Sequence, residues 1–100
     1  MGTESLSQAL RRLEALGFRH GLRAEGGRIH DLATGESFDP EILAVDEVVR
    51  FEGESDPDEQ AVLFALRSPR GRALGTFSTV FGPGMPPEDA EVVRRLGTKG

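Results

Sequence analysis

The stretch Ala61-Val62-Leu63-Phe64-Ala65-Leu66-Arg67-Ser68-Pro69-Arg70-Gly71-Arg72-Ala73-Leu74-Gly75-Thr76-Phe77-Ser78-Thr79-Val80-Phe81 decides the fold. Two runs rich in β-branched and aromatic residues, 61–68 and 72–81, flank Pro69-Arg70-Gly71. Such runs around a short turn read as a β-hairpin, and proline, one residue, then glycine suits a type I turn closed by a glycine bulge. Pairing Ser68 with Arg72 predicts that Val62, Phe64, Leu66 and Leu74 share one face, and that Ala61, Leu63, Ala65 and Phe77 line the other. A strand apolar on both faces belongs in the middle of a sheet covered on both sides.

Working outward from this hairpin, residues 45–52 form a strand by their valine content, and residues 53–60 an acidic loop. Nearer the N-terminus, Gly26-Gly27 separates Leu22-Arg23-Ala24-Glu25 from Arg28-Ile29-His30-Asp31. A two-residue Gly-Gly loop suits a primed hairpin turn, in which both residues need positive φ. That register sets Glu25 opposite Arg28 and His30 opposite Arg23, and gathers Leu22, Ala24 and Ile29 on one face. Ala33-Thr34-Gly35 marks a second turn and Glu36-Ser37-Phe38 a brief strand. Asp39-Pro40-Glu41-Ile42 reads as one helical turn, with aspartate as cap and proline in first position.

Helices are expected at both ends. Ser5 and Gln8 make a capping-box pair before the apolar positions Leu6, Ala9, Leu10, Leu13 and Leu16, so a helix covers 5–16 with Arg11, Arg12 and Glu14 facing away. Gly17 ends it, and Phe18 folds back on Leu13. A second helix covers 87–96 with Ala90, Val93 and Leu96 inward. Helix, strands, helix predicts an α+β domain: an antiparallel sheet of four to five strands with an N-terminal and a C-terminal helix packed on it. One hundred residues give one domain over 1–100 with an ordered core over 5–96, since domains run from about 50 to 250 residues.

Composition narrows the function. The chain has no cysteine and two histidines, which removes disulfide scaffolds, thiolate zinc sites, iron–sulfur clusters and thiol catalysis. The longest run without a polar residue is 61–66, far short of the ~20 residues of a membrane helix. No signal peptide pattern opens the sequence, so a cytoplasmic location is expected. The net charge of −5 is segregated, with +1 over residues 1–35, −9 over 36–60 and +3 over 61–100. Nucleic-acid binding needs a basic footprint, and a centre this acidic predicts neither nucleic-acid nor membrane partners.

The candidate site is the acidic loop with its preceding arginine: Arg50, Glu52, Glu54, Asp56, Asp58 and Glu59. Carboxylate oxygens suit Mg²⁺ or Ca²⁺, which makes Glu52, Glu54, Asp56 and Asp58 candidate metal ligands and Arg50 an anion contact. The competing reading is a helical turn in which Asp56 caps, Pro57 opens and Glu59 completes a capping box. The EF-hand loop is not matched, and there is no G-x-S-x-G elbow, phosphate loop or dinucleotide fingerprint. Asp31-Leu32-Ala33-Thr34-Gly35-Glu36-Ser37 has the look of a phosphoribosylpyrophosphate loop, but Ile29 and His30 stand where acids are required and no helix follows. The histidines do not converge, and both are expected to be solvent-exposed.

The stretch Asp46-Glu47-Val48-Val49-Arg50-Phe51-Glu52-Gly53-Glu54-Ser55-Asp56-Pro57-Asp58-Glu59, with Phe64-Ala65-Leu66 and Phe81-Gly82, resembles short uncharacterised bacterial proteins, some labelled phosphoribosylpyrophosphate synthetase. The resemblance spans 5–96 and implies a small self-contained bacterial domain with no activity to carry over. The expectation is therefore a non-catalytic interaction or regulatory module without a cofactor. The alternative is a divalent-cation domain that supports hydrolysis or phosphate handling through residues 52–59. A two-faced apolar hairpin with few helices to cover it predicts a homodimer, built through the face of Leu63, Ala65 and Phe77 or through the sheet edge.

Overall fold

The computed structural model describes residues 4–52 and 60–96. The elements in chain order are helix α1 (Leu6–Ala15), strands β1 (His20–Glu25), β2 (Arg28–Asp31) and β3 (Ser37–Phe38), a 3-10 turn (Pro40–Ile42), strands β4 (Ala44–Glu52), β5 (Gln60–Arg67) and β6 (Ala73–Phe81), and helix α2 (Pro87–Arg95). The α+β class expected from the sequence holds. The sheet, however, has six strands in the order β3-β2-β1-β6-β5-β4, and it is mixed: β1 runs parallel to β6, with His20 opposite Gly75 and Leu22 opposite Phe77. Local turn signals reveal hairpins, and this pairing joins segments some fifty residues apart in sequence, so no turn announces it.

Several local expectations are met. Ser5 Oγ accepts from the Gln8 amide at 3.1 Å while Gln8 Oε1 accepts from the Ser5 amide at 2.9 Å, closing the capping box. After Gly17 the Phe18 amide donates to the Leu13 carbonyl at 3.0 Å. Gly26 and Gly27 turn the β1–β2 hairpin with φ of 61° and 77°, in the register Glu25 opposite Arg28. Asp39 caps the 3-10 turn through the Glu41 amide.

The face assignment of the long hairpin needs correction at Phe77. Arg67 pairs with Ala73 but Leu66 pairs with Gly75, so β6 carries one extra residue, Leu74, in a bulge. Beyond a bulge every side chain changes face, because side chains alternate with period two. Phe77 therefore lies opposite Phe64, buried at 2% exposure. One core cluster holds Leu22, Ala24, Ile29, Leu43, Val62, Phe64, Leu66, Phe77, Val92 and Leu96. A second holds Ala9, Leu13, Phe18, Leu63 and Ala65.

The two helices thus lie on opposite faces of the sheet, α2 over Phe64 and Phe77 and α1 over Leu63 and Ala65. Both faces of β5 are consequently buried by the chain itself, and the face containing Phe77, expected to join two copies, is part of the domain interior. Helix α2 is anchored at both ends. Thr79 Oγ1 donates to Asp89 Oδ2 at 2.7 Å, and Arg95 donates to the Gly27 carbonyl and to Asp39 Oδ1, each at 2.9 Å. This fixes its rotation so that Leu96 points inward and Val93 packs partly buried against the core, both as expected, while Val92 takes the innermost place and Ala90, expected inward, is exposed. On α1, Arg12 does not face away. It bridges Glu4 and Glu47 of β4, with contacts of 2.7 Å to each. No helix among the described residues is long and apolar enough to cross a membrane.

Candidate functional site

Of the residues singled out in the acidic stretch, the described structure includes Arg50 and Glu52. Arg50 sits on β4 opposite Val62, with its guanidinium 5.8 Å from the centre of the Phe81 ring. Glu52 closes β4 opposite Gln60. Glu54, Asp56, Asp58 and Glu59 lie outside the described residues. Among the described residues no group of three or more histidine, aspartate or glutamate side chains converges as a metal site.

A different pair stands out. Asp31, at the end of β2, is 1% exposed, and it is one of only two polar residues in the described interior, with Thr79. Its Oδ2 lies 2.7 Å from His20 Nδ1, and its Oδ1 accepts from the amides of Ala33 at 2.8 Å and Thr34 at 3.3 Å. Burial by itself would raise the carboxyl's pKa. The His20 contact and the two amides outweigh it and hold Asp31 below the usual carboxylate value. Asp31 therefore does two things: it caps the turn at 32–35, and it orients the His20 ring. With Nδ1 committed to the carboxylate, Nε2 is the imidazole atom left for another partner.

His20 is thus not the free surface histidine expected from the sequence. The signal was present in the hairpin register. Leu22 opposes Asp31, and His20 stands two residues before Leu22, so His20 and Asp31 share a face as diagonal neighbours. His30 is separate, with its Nε2 3.2 Å from the Glu25 carbonyl oxygen.

Helix α1 is flanked by two hollows. One, of about 280 Å³, is lined by Leu10 and Glu14 of α1, Phe18 and Arg19 of the connection into β1, His20 and Gly21 of β1, and Thr76 of β6. The other, of about 370 Å³, is bordered by Leu6 of α1, Ala61 of β5, Ser78 and Val80 of β6, and Pro86 and Asp89 at the start of α2. Leu6 and Leu10 are one helical turn apart, and Thr76, Ser78 and Val80 are alternate positions of one strand. Both hollows therefore lie beside α1, and the second continues past β6 to Val62, Thr79 and the start of α2. Leu6 and Leu10 are 43% and 39% exposed on this flank of the helix.

No protein-family model, no curated protein and no solved structure matches the chain.

Proposed function

We propose that this chain is a small cytoplasmic bacterial domain that acts as a non-catalytic interaction module, with a second copy of itself as partner. The observation behind this reading is the exposure of Leu6 and Leu10 on one flank of α1. A six-stranded sheet is roughly 24 Å across at about 4.8 Å per strand, whereas one helix is about 10 Å wide. With α2 on the other face, α1 is the element among the described residues that covers this one, over Leu63, Ala65 and the neighbouring Val49, Phe51 and Ala73. The seam beside Leu6 and Leu10 remains open to water. A twofold contact sets the same flank of two copies together and removes four leucines from solvent at once. The absence of cysteine is in keeping with a reducing compartment.

Sedimentation equilibrium at micromolar concentration tests the reading. The expected species has twice the 10.8 kDa mass of the chain, and Leu6→Glu combined with Leu10→Glu returns a folded 10.8 kDa monomer. A wild-type chain that stays at 10.8 kDa at every concentration overturns self-association.

A further inference from the structure

We propose that the 280 Å³ hollow beside His20 binds a free α-amino acid with an aliphatic side chain. The hollow combines the three chemistries such a ligand needs. Glu14 supplies a carboxylate, Arg19 and His20 supply donors, and Leu10 supplies an apolar wall above the buried Phe18.

The charges lie close but do not cancel one another. No ion pair joins Glu14 to Arg19 among the described residues. Among the described residues the one side-chain hydrogen bond of Arg19 runs from Nε to the Glu14 backbone carbonyl, at 3.4 Å, and both terminal guanidinium nitrogens are left for a ligand. Guanidinium groups present paired N–H donors that match a carboxylate. His20 adds a second donor next to Arg19. Its Nδ1 is held by the buried Asp31 carboxylate, which accepts, and the ring when protonated donates to a ligand from Nε2. Asp31 is a positioning residue here, since it acts through His20. The carboxylate of the ligand sits between Arg19 and His20, its ammonium pairs with Glu14, and its side chain lies along Leu10. The Thr76 hydroxyl lines the same hollow as a further polar partner.

Size and charge together select the ligand class. Sites for drug-sized molecules run from about 300 to 1,000 Å³, so a hollow of 280 Å³ suits something smaller. A phosphate ester would bring a second negative charge against Glu14. A simple fatty carboxylate would leave Glu14 without a partner beside its own charge, and a simple amine would leave Arg19 and His20 unused.

The test is a titration of the isotope-labelled full chain, followed by its backbone amide signals, with L-leucine, 4-methylpentanoate and 3-methylbutylamine. L-leucine is expected to give saturable shifts confined to residues 10–21 and Thr76 at millimolar concentration. Each of the two analogues should bind about tenfold or more weaker, the loss expected for one missing charged contact. Glu14→Gln and Arg19→Gln change exposed side chains without ion pairs, so both variants keep the fold, and each should weaken leucine to the level of the matching analogue. Shifts scattered over the surface, or their absence, overturn the site. Equal binding of 4-methylpentanoate and leucine overturns the role of Glu14 and with it the ligand class. Leu10 also belongs to the flank proposed to join two copies, so the titration is run at low chain concentration and repeated on Leu6→Glu, which keeps Leu10 and weakens that contact; leucine-specific shifts in either sample support the site, and their absence from both overturns it whatever the outcome of self-association.

Discussion

Phe64 of β5 and Phe77 of β6 face each other across the sheet, with ring centroids 6.0 Å apart and planes inclined by 24°. The Phe81 ring, partly buried, meets Phe64 edge-on at 6.5 Å, so the three rings pack as a row at the cluster that α2 joins. Offset aromatic packing of this kind adds to the burial of the rings themselves. Phe77→Ala should therefore cost about 3–5 kcal/mol in urea unfolding. Phe77→Asp places an unpaired charge among Leu22, Phe64 and Val92 and should abolish folding. A soluble, folded Phe77→Asp monomer would instead make this face an interface between copies.

The Phe64–Phe77 pair also marks where sequence reading reached its limit. The turn at Pro69-Arg70-Gly71 was legible, and Ser68 does pair with Arg72, its amide donating to the Arg72 carbonyl at 2.8 Å. The bulge at Leu74 was not, because nothing local distinguishes the residue that stands out of register. One unpaired residue was enough to move Phe77 to the opposite face. The phase of α2 escaped for a related reason. It is set by Asp89 reaching Thr79 and by Arg95 reaching Gly27 and Asp39, contacts with distant segments that helical spacing alone does not reveal. By contrast α1, both tight hairpin turns and the cap at Asp39 are specified by residues within four positions of one another, and all were legible. Of the candidate site, the His20–Asp31 pair was not expected, although the β1–β2 register places the two residues on one face. The hollow beside it was not legible, since Thr76 arrives only through the parallel β1–β6 pairing.

That parallel pairing depends on Gly75. A Cβ at this position would be driven onto the His20 backbone carbonyl, which no side-chain rotation can relieve. Gly75→Ala should cost at least about 1–3 kcal/mol, the usual range for overpacking, and should remove the hydrogen-exchange protection of β1 amides before that of β5. Gly21→Ala is the matched control. Its Cβ would meet Leu32 Cδ1 at 3.6 Å, an ordinary contact, and the change should fall within about 0.5 kcal/mol of wild type. Equal stability of the two variants would remove the close approach of β1 and β6 as a constraint.

The acidic stretch has a separate test. If Asp56 serves as a helix cap, Asp56→Ala should cost roughly 0.5–2 kcal/mol whether or not a divalent cation is present. If Glu52, Glu54, Asp56 and Asp58 ligate Mg²⁺ or Ca²⁺, the cation should raise the wild-type melting temperature in proportion to the logarithm of its concentration, and the same substitution should abolish that rise. A rise of many degrees at micromolar cation would establish the metal reading.

Asp31 should make the domain sensitive to acid. Its carboxyl is held below the ordinary value near about 3.9. The folded state therefore binds its proton more weakly than the unfolded chain does. A group of this kind contributes stability that is fully present above the unfolded pKa and is lost as the pH falls through the folded one. Asp31→Asn keeps the shape but removes the charge. It weakens the acceptor for His20 and leaves the amides of Ala33 and Thr34 with a neutral oxygen. The variant should be less stable than wild type at neutral pH, and the gap should narrow from about pH 4 downward as the wild-type carboxylate takes up its proton. Urea midpoints of the two proteins, measured side by side from neutral pH to about pH 2.5, give the difference directly and cancel the titration of the remaining acids. A gap that stays constant over the whole range would mean that the Asp31 charge does not support the fold and that its role is confined to shape.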